Sequence, residues 1–143
     1  MNIASILARK GGRVVTCRPD QSIRQALGLL AEHNIGALVV VDATGAPAGS
    51  LSERDVVREA TRDERLFARS VEEIMTRDVI VGVPEDDLRA VRLTMTERRI
   101  RHVPVVVEGR LIGIVSIGDV VKAELDQYLG EVDTLQMQVG MQP

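Results

Sequence analysis

GIVSIGD, residues 113–119, has the form of an aliphatic strand that leads through Ser-x-x-Asp into a long amphipathic helix. GSLSERD, residues 49–55, has the same form, and its aspartate lies 64 residues before the later one. Upstream, Pro19 and Pro84 occupy matching places 65 residues apart. An internal repeat of this size says more about the fold than any single motif does. The sequence therefore predicts one structural unit made twice.

The composition is that of an ordinary globular domain. The chain has 143 residues, of which 45% are hydrophobic and 27% are charged. Neither half could bury a large core alone, so we expect the halves to pack against each other. The apolar runs are too short to span a membrane, and no signal peptide is visible at the start. With a net charge of −3, the chain is not expected to bind nucleic acid.

Cysteine and histidine, which often carry catalysis or hold metals, are sparse, with one Cys and two His. The single Cys17 excludes an internal disulfide and is typical of a reducing cytoplasm. Cys17, His33 and His102 do not have the spacing of metal ligands, so we expect no metal site. We find no nucleophile–base set, because no histidine is evident near Cys17. The sequence therefore favours a binding protein over an enzyme.

Each copy is predicted to run β-α-β-β-α, which makes the fold α+β with a small mixed sheet in each repeat. In both copies a short helical segment comes first, Ile3–Ala8 and Val71–Met75. The first copy then has Val14–Val15 as strand, a helix capped by Ser22, the strands Ala37–Val41 and Ala48–Leu51, and a helix capped by Ser52. The second copy has Val79–Val81 as strand, a helix capped by Asp87 that runs from Leu88 to about Arg99, the strands Val103–Val107 and Leu111–Val115, and a helix from Ser116.

These elements divide the chain into residues 1–62 as first repeat, 63–70 as linker, 71–125 as second repeat and 126–143 as a helical extension and tail. The last helix has apolar residues at alternating spacings of four and three, which is typical of a coiled-coil seam. The seam consists of Val121, Leu125, Tyr128, Val132, Leu135 and Val139. It predicts either packing on the chain's own domain or a dimer contact.

The two Ser-x-x-Asp motifs have a chemistry that suits nucleotides. A strand that ends at a helix N-terminus presents free backbone N–H groups to phosphate oxygens. An aspartate one turn into the helix can accept hydrogen bonds from both hydroxyls of a ribose, and the serine hydroxyl can bind phosphate or ribose. The alternative is that Ser52–Asp55 and Ser116–Asp119 are capping boxes, which need no ligand.

The motifs together resemble the cystathionine β-synthase (CBS) domain family. The resemblance rests on the repeated Gly-x-x-Ser-x-x-Asp, on Pro-Asp-Gln-Ser (19–22) and Pro-Glu-Asp-Asp (84–87), and on Arg-His-Val-Pro-Val-Val (101–106). It covers about Ile3 to Lys122 in two copies. It implies a pseudo-two-fold pair of domains that binds adenosine-containing ligands in clefts between the halves, and that forms a flat homodimer. The ligands implied are AMP, which we prefer, ADP, ATP, NAD(H) or S-adenosylmethionine.

The resemblance also implies that each cleft takes its Ser and Asp from one repeat and much of its base pocket from the other. One cleft would combine Ser116 and Asp119 with Lys10, Val15, Ile35, Gly36 and Ala37. The other would combine Ser52 and Asp55 with Ile80, Ile100 and Arg101. Candidate phosphate partners are Lys10, Arg54, Arg101, His102 and Lys122. We favour the Asp119 cleft for base and ribose, because small side chains would line it. The alternative for His102 is a histidine at the end of a strand that makes its hydrogen bonds within the protein and contacts no ligand.

Two functions fit these features. The first is a regulatory module for energy or redox sensing, in which a bound nucleotide changes the conformation and a separate, unidentified protein partner responds. The second is a CBS-type dimerisation scaffold without a physiological ligand. The presence of both Asp55 and Asp119 favours the first function, because a scaffold has no need of them.

Overall fold

The computed structural model describes residues 1–140, with side chains up to residue 137. The helices are α1 (Ile3–Lys10), α2 (Ile23–His33), α3 (Glu53–Ala60), α4 (Val71–Ile74), α5 (Leu88–Arg98) and α6 (Ile117–Gly140). The strands are β1 (Thr16–Cys17), β2 (Ala37–Val41), β3 (Pro47–Ser52), β4 (His102–Val107) and β5 (Arg110–Ser116). A short 3₁₀ helix, Leu66–Ala68, lies in the segment between the repeats. The predicted α+β fold class is confirmed.

The strands form two small sheets, one in each repeat. The first has the order β1-β2-β3, with β1 parallel to β2 and β2 antiparallel to β3. The second is the antiparallel pair β4-β5. The two hairpins have the same register, since Ala37 pairs with Ser52 and His102 pairs with Ser116. The end of each hairpin thus places a Ser-x-x-Asp motif beside the start of the preceding strand.

The first strand of each copy differs from the prediction. In the first copy it lies at Thr16–Cys17, just after the predicted Val14–Val15. In the second copy the predicted strand Val79–Val81 does not form, and Gly82 makes a single parallel bridge to Val105. The reason is a pair of prolines.

Proline has no N–H to donate to a ladder. Gly82 N–H donates to the Pro104 carbonyl at 2.8 Å, and Val106 N–H donates to the Gly82 carbonyl at 2.9 Å. On the N-terminal side of this bridge, the next hydrogen bond of the ladder would need an N–H on Pro104. On the C-terminal side, the next would need an N–H on Pro84. The ladder therefore stops after one bridge, whereas Val39 can donate at the place equivalent to Pro104.

Two hydrophobic cores form, and a short helix crosses from each half into the other. The core of the first repeat includes Val71, Ile74 and Met75 from α4 and the residue that follows it. The core of the second repeat includes Ile3 and Ile6 from α1. Backbone hydrogen bonds fix both helices, because Val71 N–H donates to the Gln21 carbonyl and Ile3 N–H to that of Asp86. The core of each repeat is thus completed by the short first helix of the other repeat.

The long helices begin and end as the sequence predicts. The capping box of Ser22 and Gln25 is present, and the carboxylate of Asp87 accepts from two N–H groups at the start of α5. After α2 and α5, Asn34 and Arg99 adopt the left-handed conformation, with φ of 51° and 55°. These turns direct the chain from each helix into β2 and β4, where the cavity described below lies.

Helix α6 is packed on the second repeat only at its start. Val120 and Ala123 are its buried residues in that core. Its outer apolar side chains are between 50% and 68% exposed: Val121, Leu125, Tyr128, Leu129, Leu135 and Met137. Four of the predicted seam residues, Val121, Leu125, Tyr128 and Leu135, are thus exposed, Val132 is half-buried, and the side chain of Val139 lies outside the described residues. None of the helices within residues 1–140 is both long and apolar enough to cross a membrane.

Candidate functional site

The two Ser-x-x-Asp motifs form matching hydrogen-bonded frames. Asp55 Oδ2 accepts from Ser52 N–H at 2.9 Å, and Asp55 N–H donates to Ser52 Oγ at 3.2 Å. In the second copy, Asp119 Oδ2 accepts from Ser116 N–H at 2.9 Å, and Asp119 N–H donates to Ser116 Oγ at 3.1 Å. Both motifs are thus capping boxes, and each carboxylate keeps oxygen lone pairs for a further partner.

The further partners of the two carboxylates differ. The ammonium of Lys10 lies 2.7 Å from Asp119 Oδ2 and also donates to the Ile114 carbonyl at 3.0 Å. Thr76 Oγ1 lies 3.5 Å from Asp55 Oδ1, which is too long for a strong hydrogen bond. Burial opposes ionisation of Asp119, but the hydrogen bonds from Lys10 and Ser116 outweigh it and lower the pKa of this carboxyl group. Among the described residues, the carboxylate of Asp55 therefore has fewer strong hydrogen-bond donors than that of Asp119.

A cavity of about 910 Å³ lies between the two repeats. The first repeat contributes the start of β2, the end of β3 and the N-terminus of α3. The second contributes residues 76–80, the end of α5 and the start of β4. Its volume is within the range of about 300–1,000 Å³ that is common for small-molecule sites.

The cavity brings together many of the residues that the sequence singled out. These are Gly36, Ala37, Ser52, Arg54, Asp55, Ile80, Ile100, Arg101 and His102. The whole set expected around Asp55 is included. Gly36 and Ala37, which the sequence assigned to the Asp119 cleft, line this same cavity. The hairpin register explains the difference, because Ala37 pairs with Ser52 of its own repeat.

The remaining predicted site residues lie elsewhere. Lys10, Ser116 and Asp119 form the hydrogen-bonded group described above. Val15 and Ile35 are partly buried and pack against the core of the first repeat. Lys122 is exposed on α6. Of the predicted Asp119 cleft, the structure thus joins Lys10 to Ser116 and Asp119, whereas Gly36 and Ala37 line the cavity with Asp55.

The polar lining of the cavity carries both signs of charge. Arg54, Arg99 and Arg101 contribute cations, and Glu53, Asp55 and Asp78 contribute carboxylates. Within the described residues, none of these three arginines lies in an ion pair. Guanidinium groups without a carboxylate partner are suited to bind phosphate oxygens, which they can contact through two N–H groups.

His102 lines the cavity and lies near enough to Lys10 and Asp119 for their charges to affect its pKa. Burial lowers the pKa of this histidine, the charges of Lys10 and Arg101 lower it further, and Asp119 opposes them. These effects favour the neutral imidazole, which can offer a ligand a hydrogen bond.

Several cavity residues were missed from the sequence. Pro104, Ile114 and Ile117 add aliphatic wall to the cavity, and Arg99 adds a cation at the end of α5. Pro104 holds the place of Val39, which also lines the cavity, but the sequence assigned neither residue to a site, so the repeat gave no signal for Pro104. Thr76 gave no such signal, since the connection after the short helix is shorter in the second copy and the alignment is lost there.

Other reactive groups lie away from the cavity. Burial raises the pKa of the Cys17 thiol to about 11, with a smaller opposing effect of Arg18. Among the residues described, no cluster of three or more His, Cys, Asp or Glu side chains could hold a metal ion. The arrangement in the cavity is one for binding, with aliphatic walls, hydrogen-bonding groups and arginines.

The CBS domain model matches residues 4–62 and 71–126 of this chain. The chain therefore belongs to the CBS domain family, with two tandem copies of the domain.

Solved structures and curated relatives agree with this assignment. The crystal structure of the CBS-domain containing protein ATU1752 from Agrobacterium tumefaciens superposes with a TM-score of 0.82 at 44% identity, over 87% of this chain and 99% of that chain. CBS domain-containing protein CBSX3, mitochondrial, from Arabidopsis thaliana is 38% identical over 93% of this chain and 69% of its own length.

A third relative was solved with ligands. The CBS domain pair of protein MJ0100, in complex with 5′-methylthioadenosine and S-adenosyl-L-methionine, has a TM-score of 0.78 at 28% identity. The match covers 89% of this chain and 98% of that chain. Adenosine is common to both of those ligands.

Proposed function

We propose that this chain is a regulatory module that binds an adenosine-containing ligand in the cavity between its repeats. The observation that carries the proposal is the meeting of Ser52 and Asp55 from one repeat with Ile80, Ile100 and Arg101 from the other. Among the residues that the structure describes, Oδ1 of Asp55 has only the long contact to Thr76, so it is available to the hydroxyls of a ribose. The ligands of the MJ0100 domain pair support adenosine as the common part.

The cavity offers a partner for each part of such a ligand. The half-buried aliphatic side chains of Ile80 and Ile100 would hold the adenine by packing, and backbone groups at Ala37 would contact its edge. Arg54, Arg99 and Arg101 would bind the phosphates. AMP remains our preferred ligand, and ADP, ATP, NAD(H) and S-adenosylmethionine are the alternatives. This proposal places the ligand at Asp55, whereas the sequence favoured Asp119.

Regulation would follow from the position of the cavity. Because both repeats line it, a ligand that binds one relative placement of the repeats better than another shifts the population toward that placement. A separate protein partner would respond to the shift.

We further propose a homodimer in which the seam of α6 contacts a second copy, since its apolar side chains are exposed. We propose the cytoplasm as location, because a single cysteine is typical of reducing compartments. The activity is binding, not catalysis.

The second candidate is a scaffold without a ligand. One observation favours it: within each motif, the serine and the aspartate hydrogen-bond to each other as a capping box and need no ligand for this. A scaffold does not need the unpaired arginines of the cavity, so we place it second.

Thermal unfolding with each of AMP, ADP, ATP, NAD, NADH and S-adenosylmethionine tests the proposal. A ligand at about 100 times its dissociation constant should add about 2.7 kcal/mol to the free energy of unfolding. The variant Asp55→Asn should remove most of this gain, because an amide cannot accept both ribose hydroxyls but can still accept the N–H of Ser52, the N-cap of α3. Asp119→Asn is the matched variant in the other motif. If no ligand moves the midpoint, the scaffold is correct.

A further inference from the structure

The two aspartates that could hold a ribose differ in how many hydrogen-bond donors already contact their carboxylates. Oδ2 of Asp119 accepts from two donors, the Ser116 N–H at 2.9 Å and the Lys10 ammonium at 2.7 Å. Oδ2 of Asp55 accepts only from the Ser52 N–H among the described residues. At Asp55 the other repeat contributes no lysine but Thr76, whose Oγ1 lies 3.5 Å from Oδ1.

The chain holds Lys10 in this position by its local structure. Lys10 is the last residue of α1, and Gly11 follows with φ of 82°, a conformation that favours glycine. The next residue, Gly12, passes so close to β5 that a Cβ on it would lie 2.6 Å from the Ile112 carbonyl oxygen. Lys10 also donates to the Ile114 carbonyl of β5. The ammonium is therefore tied both to the strand that leads into the second motif and to the carboxylate of that motif.

An ammonium in this place competes with a ribose. A ribose held by a carboxylate donates from two hydroxyls, and these must replace or avoid the donors already present. Hydrogen bonds between charged groups are stronger than those that neutral hydroxyls make. The cavity between the repeats includes Ser52 and Asp55 in its lining but not Ser116 or Asp119.

We propose that Lys10 is an internal occupant that keeps the Asp119 cleft closed to ribose, so that each chain takes one adenosine ligand, at Asp55. This inference rests on the proposed function. It also gives Lys10 a role opposite to that of a phosphate partner, because a phosphate partner strengthens binding and an internal occupant weakens it. The sign of the effect of removing the ammonium distinguishes the two.

The test is a titration of the isotopically labelled full chain with adenosine, followed by the backbone amide signals of both motifs. Adenosine has base and ribose but no phosphate, so it does not depend on a phosphate contact. In the wild type, the amides of 52–55 should shift and those of 116–119 should not. In Lys10→Met, which keeps the aliphatic stem, both sets should shift, with affinity at the second motif raised at least about tenfold.

Arg9→Met is the matched control, because it removes a neighbouring cation whose exposed ion pair with Asp126 is outside both motifs. It should behave as the wild type does. Lys10→Gln is a second variant in case the methionine disturbs folding, which the dispersion of the amide signals will show. The inference is overturned if 116–119 respond equally in wild type and variant, or if loss of the ammonium weakens their response.

The same titration separates this inference from the proposed function. If 116–119 respond only in the Lys10 variants while 52–55 stay silent in every protein, Lys10 is an occupant but the Asp55 assignment fails. If neither motif responds in any protein, both the inference and the proposed adenosine site are wrong.

Discussion

Gly113 lies directly beneath Leu7, so that a Cβ built on the glycine would stand 2.7 Å from Cδ2 of the leucine. Gly49 holds the equivalent place in the first repeat, where a Cβ would stand 2.6 Å from Sδ of Met75 and 2.8 Å from the Thr76 carbonyl oxygen. The two glycines therefore allow the segments that cross between the halves to approach the strands closely. No larger residue fits without movement.

Replacement of these glycines by alanine should have unequal costs. We expect Gly49→Ala to lower the free energy of unfolding by about 1–3 kcal/mol, because the backbone oxygen of Thr76 cannot move aside. Gly113→Ala should cost less, since the end of the Leu7 side chain can rotate. Urea denaturation measures both values.

Gly28→Ala is the matched control for these variants. Gly28 lies within α2 and has nothing within 4 Å of its Cβ position. Alanine there should raise the free energy of unfolding by about 0.5–1 kcal/mol, because glycine is a poor helix former. Equal losses at Gly49 and Gly113 would contradict the predicted difference between a backbone and a side-chain neighbour, and no loss at either would contradict the close approach.

His102 predicts a pH dependence of stability. Its pKa in the folded chain lies below the ordinary value of 6.5, mainly because it is buried. The unfolded chain therefore takes up the proton first as the pH falls, and stability is lost as the pH falls below about 6.5 until the folded pKa is passed. His102→Gln should flatten this part of the profile of thermal midpoint against pH.

His33→Gln removes the other histidine, at the exposed end of α2, and is the control. Asp119 acts in a separate, more acidic range. Its pKa in the folded chain lies below 3.8, so the stability that it contributes is present above that value and is lost as the pH falls through the folded pKa. If the thermal midpoint of His102→Gln depends on pH as steeply as that of the wild type near pH 6, the loss of stability in this range is not caused by His102.

The seam of α6 predicts self-association. We expect the full chain to sediment as a dimer, and Leu135→Lys to raise its dissociation constant at least tenfold, because burial of one leucine contributes about 1.5–3 kcal/mol. Gln136→Lys adds the same charge next to the seam and should have a much smaller effect. A monomeric wild type at micromolar concentration, or equal effects of the two lysines, would exclude this contact.

Cys17 should be unreactive in the folded chain. Its thiol is buried and its pKa is raised to about 11, so little thiolate is present at pH 8. A thiol reagent such as dithionitrobenzoate should label it only as fast as the chain opens, and completely in urea. Rapid labelling without denaturant would show that this part of the first core is accessible.

Much of the fold could be predicted because local signals and the repeat agree. The capping residues Ser22, Ser52 and Asp87 begin helices as expected, and both hairpins lie where the apolar runs place them. The strand at Val79–Val81 could not be predicted correctly from its apolar residues alone. Its absence depends on Pro84 and on Pro104, and the latter lies in a partner strand distant in the sequence.

The candidate site was less predictable for a related reason. The sequence places Lys10 with Asp119, and the two do meet, but the ion pair between them depends on how Gly11 and Gly12 turn the chain. Gly36 and Ala37 line the cavity with Asp55, because the hairpin register pairs Ala37 with Ser52. The contact between Lys10 and Asp119 joins side chains from different repeats, and neither copy reveals it when it is read alone.

The exchange of α1 and α4 between the two cores has a consequence for how such a chain could arise. An ancestor with one unit would hold its short helix away from its own core and could complete that core only with the helix of a second molecule. Its folding would then depend on protein concentration, as it does for obligate dimers. Gene duplication with fusion makes this swap intramolecular, so that a single polypeptide folds at any dilution.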